Sequence, residues 1–291
     1  TSVLNFKHPI ERGIITNSDE MEKIWLHAFK ELKVAPAESS VLLTEAVFNS
    51  KDNREKMAEI VFEKFNTHAL CIADQALLSL FASGRITGMS VNVGHGITQI
   101  VPVSRGSIIR DAAVQWEFGG QDMTDYLTRM LIQCGYSFDS HSQTETVCNI
   151  KEKCCYVAPD FEQELQTTAS EKYKLPDKQP SLTGEESQSI HERIRKSIIK
   201  CNWWVKRSLF KNIVLSGGST IFRGFSQRLK KEMSSILAPT TIFQIIDYEE
   251  RKYGTWLGGA ALASLSTFKD QWISREEYDE HGSNILDKKY M

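Results

Sequence analysis

Ile213-Val214-Leu215-Ser216-Gly217-Gly218-Ser219-Thr220 is the stretch on which the reading of this chain turns. Three apolar residues and a serine read as a short buried strand. Two glycines then read as a turn where the missing Cβ lets backbone come close to a ligand. A helical pattern follows, so free amides and the positive end of a helix dipole are expected to face the turn and favour phosphate or another anion. A second stretch has the same form, Met89-Ser90-Val91-Asn92-Val93-Gly94-His95-Gly96-Ile97-Thr98. Nucleotide binding is the first hypothesis for the pair, and two ordinary structural turns are the alternative.

Composition narrows the classes. A chain of 291 residues with 41% hydrophobic content can bury a substantial core as one large or two medium domains. With 35 basic against 37 acidic residues it has no excess of positive charge to drive nucleic-acid binding by counterion release, and none is expected. Six cysteines without paired CxxC spacing fit reduced thiols inside a cell rather than a disulfide scaffold or a metal site. No apolar run reaches the roughly 18 residues that span a bilayer, and no signal-peptide core is present, so membrane insertion is not expected. The strand-like Val3-Leu4-Asn5-Phe6 lies at the start without an initiator methionine, which fits either processing or segments absent from the sequence.

Along the chain, Asn17 with Glu20 predicts a helix start, and Met21, Ile24, Trp25, Ala28, Phe29 and Leu32 predict one core-facing stripe. Val41–Thr44 reads as a strand, Asp52 with Glu55 as the start of a helix burying Met57, Ile60, Val61 and Phe65, and Ala69–Ala73 as a strand followed by a helix from Asp74 to Gly84. Gly88–Arg110 reads as three extended runs broken at Gly94-His95-Gly96 and Ser104-Arg105-Gly106. Helices are expected over Asp122–Cys134, Gln143–Val157 and Asp160–Ala169, with a loop or linker at Lys172–Ser181. Ile190, Ile194, Ile198, Val205 and Leu209 predict one long helix. A further helix near Phe225 ends before Pro239, a strand covers Thr241–Ile246, and a small-residue helix covers Thr255–Phe268. Of the adjacent Trp203 and Trp204, one ring is expected on the buried stripe and the other at the surface or against a partner, because neighbouring helix positions diverge.

Val214–Thr220, Glu250-Arg251-Lys252-Tyr253, Trp256-Leu257-Gly258-Gly259, Leu262–Phe268, Trp272-Ile273-Ser274, Asn53–Met57 and Asp160–Glu164 together resemble actin, in actin order and over nearly the whole chain. The resemblance implies an α/β, two-lobed actin-like ATPase fold, with mixed sheets flanked by helices around a nucleotide cleft. It divides the chain into residues 1–80 of the first lobe, 81–252 of the second, and a segment 253–291 returning to the first. ATP or ADP with Mg2+ or Ca2+ is the implied ligand. The first of the family's two phosphate hairpins would precede Thr1, and the loop around Lys178-Gln179 is shorter than in actin; a lobe without its opening strands would expose sheet edges, which favours segments absent from the sequence.

By the same resemblance, nucleotide would contact Asn92, Gly94, His95 and Gly96 of one turn, Gly217, Gly218, Ile221 and Phe222 of the other, and Gly120, Lys151, Glu152 and Lys252. The catalytic positions depart from the pattern. Asn92 and His95 stand where actin has aspartates, Gln99 stands for its water-positioning histidine, and Gln75 is retained. Asn92 would meet a cation only through water. Cys148 and Gln121 stand in place of arginines, weakening the polar lining. Losing a proton-transfer partner costs roughly 100- to 10,000-fold in rate, so ATP turnover is expected to be slow or absent. A histidine in a turn can titrate near neutral pH, and His95 reads equally as a solvent-facing residue without a catalytic role.

The functional expectation is a structural, cytoskeletal subunit in the cytoplasm, partnered with actin-family subunits or actin-binding proteins in a cytoskeletal or motor-associated complex. A groove of Phe81, Gly84, Ile86, Leu257, Leu262 and Leu265 would receive a partner helix. A polymerising ATPase is the alternative. A sugar-kinase relative is a third reading, opposed by the lack of an acidic residue placed as a catalytic base.

Overall fold

Short apolar strands alternate with helices here, and the strands sort into two main sheets. The structure is a computed structural model that describes residues 8–136, 141–160, 163–164 and 189–290. A small hairpin of β1 (Ile10–Glu11) and β2 (Ile14–Ile15) precedes helix α1 (Ser18–Leu32), whose first turn is capped by the Asn17 side chain accepting from the Glu20 amide. In the first sheet β3 (Ser40–Glu45) runs parallel to β4 (Ala69–Asp74), with Ser40 opposite Ala69 and Glu45 opposite Asp74. Helix α2 (Lys51–Glu59) continues into a π-turn, Ile60–Lys64, and returns the chain between them. Strand β11 (Ile273–Ser274) closes the far edge antiparallel to β4. Met57, Val61, Phe62, Leu70, Ile72 and Leu286 form the core beneath, and Phe62 stacks on Tyr278 with ring centroids 4.5 Å apart.

The second sheet has β5 (Gly88–Val93) at its centre, antiparallel to β6 (Thr98–Ser104) and parallel to β9 (Ile213–Ser216), with β7 (Ser107–Ile108) and β8 (Val114–Trp116) beyond β6 and β10 (Ile245–Ile246) beyond β9. All six residues of β5 are buried, as suits a strand covered on both faces. Helices α4 (Gly120–Gln133) and α5 (His141–Cys154) follow β8, and α6 (Ile190–Lys200) and α7 (Trp203–Lys211) lead into β9. Ile194, Ile198, Val205 and Leu209 from α6 and α7 pack with Val91, Ile100, Ile213 and Leu215. After β9 come α8 (Phe225–Ile236), α9 (Gly254–Ala263), α10 (Arg275–His281) and α11 (Asn284–Tyr290).

Helix α9 lies tightly on α3 (Gln75–Ala82). A Cβ on Gly258 would sit 1.8 Å from the Leu78 carbonyl oxygen. Beside this contact Ser79 Oγ lies 3.1 Å from Thr255 Oγ1 and accepts from Ser216 Oγ at 3.0 Å. These hydroxyls tie both helices to the end of β9.

Several elements differ from the sequence reading. Helix α1 buries a narrow stripe, Met21 with half-covered Trp25 and Phe29, while Ile24 and Leu32 are exposed at 48% and 71%. Phe29 meets Phe65 edge to face, so the helix rests on one ridge and the rest of its apolar stripe faces out. The second helix is capped by Ser50, whose hydroxyl accepts from the Asn53 amide, rather than starting from Asp52. The single long helix is two helices: Cys201 and Asn202 are extended, with ψ 162° and 145°, and Asn202, a poor helix-interior residue, stands at the start of the second without a side-chain cap bond. Trp203 and Trp204 stand at the start of the second of these, 79% and 63% exposed with rings edge to face 6.2 Å apart, so neither is buried. The Thr241–Ile246 strand shrinks to the two residues that pair with β9, and the Thr255–Phe268 helix ends at Ala263, with a separate 3-10 turn over Ser266–Gln271. The helix expected over Gln143–Val157 ends at Cys154. Val3–Phe6, the linker at Lys172–Ser181 and most of the helix expected over 160–169 lie outside the described residues.

Candidate functional site

Parallel pairing of β5 with β9 sets Asn92 beside Ser216, so the turns that end the two strands meet. Gly217 has φ 88°, and a Cβ there would stand 2.4 Å from both Asn92 Oδ1 and the Val93 carbonyl oxygen. Only glycine fits. The start of α4 is sewn to the same junction: the Gly94 carbonyl accepts from the Gly120 amide at 2.9 Å and from Ser219 Oγ at 3.1 Å, and the His95 carbonyl accepts from the Gln121 amide at 2.8 Å. Gly218 has no neighbour within 4 Å of where its Cβ would be, and so faces open space.

That space is a cavity of about 640 Å3. Gly94, His95, Gly120, Lys151 and Glu152 line one side; Gly218, Ile221, Phe222 and Lys252 line the other. Nine positions expected to contact nucleotide therefore share one hollow. Asn92 and Gly217 lie beneath it at the strand ends, and Gly96 turns its carbonyl to Arg12 instead.

One expectation about the second turn is overturned. The turn leads into a single 3-10 turn, Gly218–Ile221, and α8 starts only at Phe225. Gly224, with φ 83°, reverses the chain between them against the Val157 carbonyl. A full helix dipole thus does not point from this turn into the cavity.

Electrostatics centre on Lys151, which is 6% exposed. Its ammonium donates to the Gly120 carbonyl at 2.8 Å and to Thr124 Oγ1 at 2.7 Å. An ammonium has three donors, and among the described residues no carboxylate pairs with this one. A buried cation without an anion is costly and suits a cavity built to receive a polar or anionic ligand. Burial, then the charges of Lys151 and His8, lower the His95 pKa below its ordinary value.

The two glutamines do not share this cavity. Gln75 opens α3 and lines a separate hollow of about 260 Å3 with Thr44, Asn49 and Asn53. Gln99 is 1% exposed, its Nε2 donates to Gln115 Oε1 at 2.8 Å, and its own Oε1 has no partner among the described residues. Among the described residues no group of three or more His, Cys, Asp or Glu side chains is placed to hold a metal ion.

A clasp and a buried acid were missed by sequence reasoning. Arg12, in the β1–β2 turn, donates to the Gly96 carbonyl at 2.7 Å and makes two 2.8 Å bonds to the Asp122 carboxylate. Burial opposes the Asp122 charge, but the Arg12 bond, the Gly119 amide and the Arg12 charge hold its pKa below the usual range. Asp74, at the start of α3, lies 3.5 Å from Arg110 Nη2 near the Glu45–Arg54 ion pair, and its Oδ1 has no hydrogen-bond partner among the described residues. Burial pushes its carboxyl up to about 6, against the pull of Arg110.

Asp74 makes a signed prediction. The fold holds this proton more tightly than the unfolded chain does, so Asp74 favours the fold below its ordinary value of 3.8 and weakens it as pH rises through about 6. Asp74→Asn is expected to stabilise the protein by on the order of 2 kcal/mol at pH 7.5 and to change little at pH 4. Urea unfolding at both values checks this; destabilisation at pH 7.5 refutes it.

Phe81, Gly84 and Ile86 follow one another around the end of α3, and Leu257, Leu262 and Leu265 lie on and after α9. Ile86 and Leu265 are 62% and 54% exposed, and Phe81, Leu257 and Leu262 are half-buried. No described helix is long and apolar enough to cross a membrane.

Comparison with protein families finds one family model, described as actin, that matches residues 1–187 and 178–291. The two matches meet within 178–187, near the loop read above as shorter than actin's.

Proposed function

This chain belongs to the actin family and has its α/β fold of mixed sheets flanked by helices, and on that footing we propose that it is a nucleotide-binding structural subunit of a filament or multiprotein assembly. Buried Lys151, which pairs with no carboxylate among the described residues and lines the cavity between the two glycine turns, carries the reading. Adenine nucleotide fits the lining: Ile221 and Phe222 offer apolar surface, and Lys151 and Lys252 offer positive charge. A divalent cation would arrive with the phosphates, met by Asn92 through water, because such ions keep several waters and few protein ligands. The lining residues all fall within 81–252, read above as the second lobe, so that lobe supplies this nucleotide site.

Hydrolysis in this reading is weak or absent. Asn92 supplies no anion, and Gln99 is buried with its Nε2 on Gln115 Oε1 and is not among the residues that line the cavity. Retained Gln75 is the residue that favours the alternative, a polymerising ATPase. The partner surfaces we assign are the exposed groove of Phe81, Gly84, Ile86, Leu257, Leu262 and Leu265, which takes a helix, and the Trp203–Trp204 pair, whose bulk suits a lasting heteromeric contact. The setting is the cytoplasmic cytoskeleton, with actin-family subunits or actin-binding proteins as partners.

The test begins with native material. Denaturation is expected to release a purine, and calorimetry to show heat on adding Mg-ATP or Mg-ADP; neither appearing overturns nucleotide binding. Phosphate release is expected at least about 100-fold slower than in conventional actin, and an equal rate overturns the catalytic half. Sedimentation with Mg-ATP and salt separates filament from dedicated subunit: pellets indicate a filament, and a persistent soluble monomer or stable complex indicates a dedicated subunit. In a Trp203→Ala, Trp204→Ala double variant, co-purifying partners should be lost while nucleotide affinity is kept.

A further inference from the structure

Four of the six cysteines are accessible: Cys134, Cys148, Cys154 and Cys155. The last three line the 640 Å3 cavity, and Cys134, at the end of α4, is not among its lining residues. Such a gathering of thiols is not required by the packing, since Cys71 and Cys201 occupy the buried positions. Among the described residues, Lys151, Lys153, Arg223 and Lys252 line the same hollow against a single carboxylate, Glu152, so small anions are drawn in beside the thiols.

The three thiols are not equivalent. Cys148 Sγ donates to Glu152 Oε1 at 3.8 Å, and a thiolate there would face that carboxylate. Burial, then the neighbouring Cys154, raises the Cys155 thiol. Cys154 ends α5 exposed, follows Lys153 in the chain, and lines the cavity.

Resting on the nucleotide reading above, we propose that Cys154 is a modification site for small anionic disulfides of the glutathione type, and that the adduct closes the cavity to nucleotide. The reaction is thiol–disulfide exchange: Cys154 Sγ, as thiolate, attacks one sulfur of the disulfide, forming a new S–S bond as the old one breaks. The other half leaves as a thiolate and takes up the proton that Cys154 lost. The disulfide is the oxidant, so no further electron acceptor is needed, and a small thiol reverses the step. The adduct's carboxylates then lie among the cations that would otherwise meet the nucleotide's phosphates.

Full-length protein is incubated with glutathione disulfide, with and without saturating Mg-ATP, and each cysteine peptide is followed by mass spectrometry. Cys154 should react about tenfold faster than Cys134 at low salt and lose that lead at high salt. Mg-ATP should protect Cys154 and leave Cys134 unaffected. Calorimetry on the adduct should show nucleotide affinity lowered at least about tenfold and restored by dithiothreitol. In Cys154→Ser, treatment with glutathione disulfide should leave nucleotide affinity at that variant's own untreated value. Equal labelling of Cys154 and Cys134, or an adduct that binds nucleotide as tightly as untreated protein, overturns the proposal while leaving the nucleotide reading intact. Untreated protein that binds no nucleotide overturns that reading, and the gating with it, even if Cys154 remains the preferred thiol.

Discussion

Lys151→Met is expected to lower adenine-nucleotide affinity about 10- to 100-fold, the equivalent of losing one or two hydrogen bonds to a charged group. Methionine has similar length and no charge, so the cavity keeps its shape and loses its buried cation. Stability should respond differently. The ammonium's bonds to the Gly120 carbonyl and Thr124 Oγ1 disappear, but Thr124 Oγ1 still donates to that carbonyl at 3.0 Å. Removing a buried charge offsets the remainder, so the unfolding free energy should shift by no more than about 1 kcal/mol. Calorimetry and urea unfolding on the same variant separate two roles for this lysine. A strut that holds α4 to α5 would lose stability and keep affinity, which is the result that sinks the binding role.

What the sequence revealed, and what it hid, follows from how far apart the interacting residues lie. The Asn17 cap, the β5–β6–β7 hairpins broken at Gly94-His95-Gly96 and Ser104-Arg105-Gly106, and the buried β9 strand depend on neighbours within a few positions, and all are present. Periodicity shows which residues share a face, not what covers it. Ile24 and Leu32 therefore read as core and are bare, and Trp203 and Trp204 share an exposed corner because Asn202 restarts the helix just before them. Arg12 and Asp122 are 110 positions apart, and no local pattern links them. Asp74 reads as an unremarkable helix start; only the packed structure shows a carboxyl too buried to ionise easily. The gathering of Gly94, Lys151, Gly218 and Lys252 around one cavity was legible only through family resemblance, since each alone reads as a turn or a solvated helix face.

Gly258→Ala is expected to cost about 3 kcal/mol or more, a large share of the roughly 5–15 kcal/mol that holds a domain folded. The added methyl would lie 1.8 Å from the Leu78 carbonyl oxygen and 2.5 Å from its carbon. Both belong to the backbone of α3, so no rotamer change relieves the clash and the two helices must separate. Its neighbour supplies the control. A Cβ on Gly259 would meet only Leu42 Cδ2 at 3.4 Å and Leu78 Cδ1 at 3.5 Å, ordinary contacts with flexible side chains. Alanine there removes the entropic penalty of a mid-helix glycine, worth up to about 1 kcal/mol, so Gly259→Ala should be neutral or mildly stabilising. Equal destabilisation by both changes would mean that α9 tolerates no side chain for some reason other than its contact with Leu78. The consequence should reach the site, because Ser79 and Thr255 on these helices connect through Ser216 to the end of β9, next to Gly217 and the cavity. Nucleotide affinity should therefore fall in Gly258→Ala and hold in Gly259→Ala, which ties the packing of two distant helices to the shape of the turn that receives the ligand.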